Sequence, residues 1–187
     1  MRFRRLYDTA TAPAGCVRAT VVYPTLARSP ADDDAVQTFL PYPEFARCAA
    51  VLDVRRLGKQ RVEALQVLRA TSVPGYGWRH HPAATMWTGY AEALVCYGLA
   101  ICRAWTDRGW ADTVATTLVA DFGRPARSQE ELAAAGELPN WLGLAELHRS
   151  HQSALIRKDP AHYRPIFGDD VPDDLPYVWP VSDRWPG

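Results

Sequence analysis

A carboxylate set among cations is the first arrangement in this chain that could do chemistry. In the run from Asp53 to Leu68, Arg56, Lys59, Gln60 and Glu63 fall within about 60° of a common direction at about 100° per residue, while Leu57, Ala64, Leu65 and Leu68 form a separate apolar stripe. The spacing predicts an exposed helical ridge on which Glu63 is an acid/base group among positive charges. Such a ridge suits a phosphate backbone gripped by cations and offered one proton-transfer group. The plainer alternative is a solvated face on which Lys59 and Glu63 form an ordinary i,i+4 pair worth about 0.3–0.5 kcal/mol.

Other chemistry-bearing residues are sparser. His80 and His81 lie in a loop, and His148 and His151 share one helix face at i,i+3 spacing. Neither an HExxH pattern nor an HxE with CxxC accompanies them, so no metal site and no cofactor are expected. A loop histidine reads instead as a phosphate or ribose contact. Ser150 and Ser153 near His151 lack both a nucleophile elbow and a same-face spacing to a base. The seven tryptophans and eight tyrosines are mainly core and tail packing, with Tyr76 and Trp78 as candidates to stack on a displaced base.

The elements that must position these groups read as helical. A first helix follows Tyr42, and Asp53 is placed to cap a second that carries Glu63 and ends near Thr71. A long helix is expected from Pro82 to about Asp107, burying Met86, Tyr90, Leu94, Tyr97, Ile101 and Trp105, and a shorter one from Ala111 to Phe122. An acidic helix at Ser128 to Ala135 and a last one from Leu144 to Lys158, stopped by Asp159-Pro160, complete the set. The proline- and aromatic-rich tail is expected as irregular loop. The class is therefore mainly α, a compact single domain of about four to five helices with long irregular loops.

Composition bounds the rest. The chain has 187 residues, and 21 basic residues balance 21 acidic ones, which excludes a uniformly basic nucleic-acid binder. The charge is unevenly spread, because Arg47, Arg55, Arg56, Lys59, Arg61, Arg69 and Arg79 face only Asp53 and Glu63 in their stretch. Four cysteines without CxxC spacing point to a reduced, cytoplasmic protein. No apolar run approaches the roughly 18 residues of a membrane span, so no membrane partner is expected. Residues 1–35 read as a poorly ordered extension with one short strand at Val17 to Tyr23, and residues 36–187 as the helical domain. Val36 is also a possible start, since GTG can initiate translation, and Gln37-Thr38-Phe39 would then open the chain.

Three ordered segments resemble the pyrimidine-dimer DNA glycosylases, the endonuclease V-like enzymes and their bacterial relatives. They are Leu57 to Glu63, a Leu-Gly-x-x-Arg-x-Glu-like run; Arg108-Gly109-Trp110 after an aromatic helix; and Ser150 to Leu155 followed by Lys158-Asp159-Pro160, Tyr163 and Phe167-Gly168. The likeness covers about Val36 to Gly168. It implies a helical fold, damaged double-stranded DNA as partner with no obligate protein partner, and a mechanism. An amine attacks the sugar C1′ to give a Schiff base, a helix-borne glutamate assists, and β-elimination nicks the strand. By this resemblance Glu63 is the glutamate, and Arg55, Arg56, Arg61, Arg79, His81, His151 and Lys158 are expected to contact nucleic acid.

The N-terminus departs from the family pattern, since Met1 lies 35 residues before Val36 and Gln37 is bulky. Lys59 is the substitute amine, if neighbouring cations depress its pKa. Two other classes fit the same residues: a non-catalytic nucleic-acid-binding module, and a small-molecule hydrolase using Glu63 with His148 or His151.

Overall fold

The structure, a computed structural model, describes residues 37–185. The extension, its short strand and the boundary expected at residue 35 lie outside the described residues. Eight helices run in order among the described residues: α1 (Phe45–Val51), α2 (Val54–Ser72), α3 (Pro82–Trp87), α4 (Ala91–Thr106), α5 (Val114–Phe122), α6 (Gln129–Ala134), α7 (Ala145–Lys158) and α8 (Pro160–Phe167). The mainly α class holds, with more and shorter helices than the periodicity implied.

α4 is the hub, packed against α1, α2 and α5. Its buried face, Leu94, Tyr97 and Ile101, meets Leu57, Ala64 and Leu68 of α2 in one core. Gly98 makes the close approach possible, because a Cβ there would lie 2.7 Å from Leu118 Cδ1 and 3.2 Å from Ala64 Cβ. α2 starts where Asp53 accepts a hydrogen bond from the Arg56 backbone at 3.0 Å, and Asp53 also pairs with the Arg56 guanidinium and the Tyr163 hydroxyl.

Two expectations need correcting. The long helix after Pro82 breaks at Thr88-Gly89-Tyr90, where Gly89 takes a φ of +79° and the Arg184 side chain occupies the space a Cβ would fill. The Asp159-Pro160 stop also opens a new helix, since proline suits the first turn and Asp159 caps it by accepting from the His162 backbone. The tail beyond α8 does run without regular structure. It ties α7 to the α3–α4 junction: Ser153 and Ser150 accept from the Leu175 and Val178 backbones, and Ser182 donates to the Thr88 carbonyl.

Candidate active site

Glu63 is not on an exposed ridge. It is 3 % exposed and Gln60, one turn before it, is completely buried. The cover is the segment Gln37 to Pro41, which crosses this face of α2 with no helix or strand of its own. Gln60 joins the two: its Oε1 accepts from the Phe39 backbone at 2.7 Å, and its Nε2 donates to the Gln37 carbonyl and to Glu63 Oε2, the latter at 3.1 Å. The backbone nitrogen of Gln37 donates to the Glu63 carboxylate. Lys59 Nζ stands 3.4 Å from Oε1 with its side chain 48 % exposed, so this ion pair opens toward solvent.

Burial is the main influence on Glu63 and raises its pKa above the ordinary glutamate value. Attraction to Lys59, the Gln37 N–H and the charge of Lys158 offset it only in part. A carboxyl held up in this way, beside an amine and a backbone donor, is suited to exchange a proton or to stabilise a cation that forms next to it.

The covering segment is held by side chains at nearly every polar atom. Thr38 N donates to its neighbour's Gln37 Oε1 at 2.9 Å, Thr38 Oγ1 accepts from Trp87 Nε1 at 2.9 Å, and the Phe39 carbonyl accepts from the Tyr97 hydroxyl at 3.0 Å. Leu40 N donates to His151 Nδ1 at 2.9 Å, the Leu40 carbonyl meets His148 Nδ1 at 2.8 Å, and the Pro41 carbonyl accepts from Gln152 at 2.9 Å. Helices α2, α3, α4 and α7 all contribute to this cradle.

The cations expected around Glu63 divide. Lys59 and Lys158 are brought to it. Arg56 is instead paired with Asp53 at 2.6 Å and lies over the Tyr163 ring, while Arg61 is paired with Asp112 and packs over Trp105. Both guanidinium groups are mostly buried and already neutralised. The solvent face of α2 is turned from the expected ridge, and comprises Arg55, Lys59, Val62 and Gln66, which fall within about 60° of one another. Arg79 is exposed in the α2–α3 loop. His81 caps α3 by accepting from the Ala83 backbone and stacks edge-on against Trp78 and Trp179.

His151 corrects the expectation most sharply. It is fully buried, its ring set edge-on to those of Phe39, Tyr177 and Trp179, and no phosphate can reach it. Burial pushes its pKa down to about 3, with His148 adding to the effect. Ser150 and Ser153 are buried in backbone bonds rather than aimed at a base. A cleft of about 430 Å³ lies at the α1–α2 turn, but Glu63 does not line it, and the carbonyls there are engaged by Arg108 and His162.

Sequence reasoning missed Gln37 and Gln60 as partners of Glu63. The i,i+3 spacing of Gln60 and Glu63 was the available signal, whereas nothing in the sequence marks the Gln37 backbone as a donor. No described helix is long and apolar enough to cross a membrane.

The model of the pyrimidine dimer DNA glycosylase family matches residues 36–118. The resemblance to that family is thereby shown, and the match supports a DNA glycosylase-like function and DNA as partner at the level of the family. The matched span carries Gln37, Lys59, Gln60 and Glu63 and ends before α7. No curated protein and no solved structure matches the chain.

Proposed function

From the match of residues 36–118 to the pyrimidine dimer DNA glycosylases, we propose that this chain is a DNA N-glycosylase for damaged or modified pyrimidines in duplex DNA, with Glu63 as its catalytic carboxylate. The observation that carries this reading is a buried glutamate, inside the matched span, bonded to the Gln37 backbone nitrogen and facing the Lys59 ammonium at 3.4 Å.

Two nitrogens are the leading candidates for the amine. One is Lys59 Nζ. The other is an α-amine at the start of a chain initiated at Val36, one residue from the backbone nitrogen that already meets Glu63. In either case the amine must first be deprotonated. Its lone pair then forms the bond to C1′ as the bond from C1′ to the base breaks, and the base leaves with that electron pair and takes up a proton. The negative charge of Glu63 stabilises the cationic sugar as it develops beside it, and once the C1′–N bond has formed the carboxylate accepts the proton that the nitrogen sheds and can pass it to O4′. The sugar ring then opens: the nitrogen lone pair forms C1′=N as the C1′–O4′ bond breaks, and O4′ takes up a proton. Loss of a C2′ proton from this imine would expel the 3′ phosphate, which gives the lyase step.

Incubation with duplex containing a thymine dimer, with borohydride present, tests the proposal. Base release and a trapped covalent adduct are expected, and Glu63→Gln should lower the single-turnover rate by about 100-fold or more. Lys59→Arg separates the amines: loss of the adduct assigns Lys59, and its retention excludes Lys59, after which Lys158→Arg distinguishes the second lysine from the α-amine. No base release and no adduct on a dimer or a panel of modified pyrimidines would refute the enzyme. DNA binding that survives without turnover would support the binding-module reading instead.

A further inference from the structure

We infer that His148 and His151 are positioning residues of the Glu63 centre: in opposite neutral tautomers they hold the N–H and the carbonyl of Leu40 and so fix the Gln37 backbone nitrogen against the carboxylate. The inference rests on the reading of Glu63 as the catalytic carboxylate.

The hydrogen bonds dictate the tautomers. The Gly143 backbone donates to His148 Nε2 at 3.0 Å, so that nitrogen carries no proton, and Nδ1–H donates to the Leu40 carbonyl. For His151 the roles reverse, because Leu40 N–H donates to Nδ1, which leaves the proton on Nε2. Two residues of one type, one turn apart on α7, thereby serve the backbone donor and the backbone acceptor of one residue. Asparagine could do either task, but the larger rings also fill the space against Phe39 and the tail.

The arrangement is a poor choice for packing alone. His151 Nε2 is buried without a hydrogen-bond partner and faces aromatic rings, a cost that an aliphatic side chain would not carry. What the histidines supply is a fixed orientation for the backbone of Leu40, three residues from Gln37. From there the Phe39 and Gln37 backbones are both bonded to Gln60, which is itself bonded to Glu63. The path from α7 to the carboxylate is continuous: directed hydrogen bonds at both ends, joined by the backbone from Leu40 to Gln37.

Long-range proton–nitrogen spectra of the imidazoles in the full-length protein at neutral pH test the tautomers without substrate. Opposite neutral tautomers are expected, and two rings in the same tautomer, or a protonated ring, would overturn the inference. His151→Leu removes the acceptor and His151→Asn restores it. In His151→Leu the Gln37 amide and Glu63 carboxyl signals should move, and in His151→Asn they should return; signals that stay in place in the leucine variant overturn the clamp. On damaged duplex the leucine variant should lose roughly tenfold or more in single-turnover rate while its DNA affinity changes less than about twofold, and the asparagine variant should recover most of that loss. A merely structural role would lower the folded fraction and leave the rate per folded molecule unchanged. Should the wild-type protein cleave nothing, the proposed function fails, and the spectra still decide the clamp.

Discussion

Acid should unfold this protein partly through one buried imidazole. His151 has a pKa of about 3 in the folded chain against an ordinary histidine value of 6.5, so between these values the unfolded chain binds the extra proton and the folded chain does not. Stability therefore falls as the pH drops through this window. From about pH 7 to about pH 5 the loss assigned to His151 is about 2 kcal/mol, because some 1.5 units of the window are crossed at about 1.36 kcal/mol each. Urea unfolding of wild type and His151→Asn at both pH values isolates the term, since asparagine keeps the acceptor for Leu40 N and does not titrate. Glu63, raised by burial, titrates in both proteins and cancels in the comparison, and His148, lowered by burial, leaves only its smaller coupling to His151 in the difference. The wild type should lose about 2 kcal/mol more than the variant. Parallel pH profiles would refute the reasoning, because His151 would then be solvated or already charged in the fold.

Other outcomes follow from the same geometry. Asp53→Ala should cost about 2–3 kcal/mol in denaturant unfolding, because it removes the α2 cap, the Arg56 pair and the Tyr163 bond together. Gly98→Ala should lower the melting temperature, since a methyl 2.7 Å from Leu118 costs about 1–3 kcal/mol against a helix-propensity gain of about 1 kcal/mol; a raised melting temperature would mean that α4 shifts to accept it. If DNA lies on the exposed face of α2, replacing Arg55 and Lys59 with alanine should reduce the slope of log affinity against log salt by roughly 2. An unchanged slope would put the duplex on another face.

The helices were legible where a strong period met a clear boundary. Asp53 before α2, the capping box of Ser128 and Glu131 at α6, and the apolar spacing of α4 and α7 all carry their own signals. The break at Gly89 does not, because what accompanies it is Arg184, 95 residues away, donating to the Gly89 carbonyl. At Asp159-Pro160 the dipeptide signals an end in the sequence, and the same residues cap and start α8. Glu63 was legible by type and spacing. Its burial was not, since Gln37 to Pro41 has no period, and its partners are spread over α2, α3, α4 and α7. Arg56 and Arg61 were misread because their counter-charges, Asp53 and Asp112, become neighbours only in the fold.

The bonds from Leu40 to His148 and His151 span 108 and 111 residues. Closing so long a loop costs entropy before any contact repays it, so docking of Gln37 to Pro41 onto α7 belongs late in folding, after the local α2–α4 core has formed. Until that moment Glu63 lacks the Gln37 N–H and lies open to water. Catalytic competence should thus be acquired in the last kinetic phase, and recovery of activity during refolding should lag behind recovery of helix.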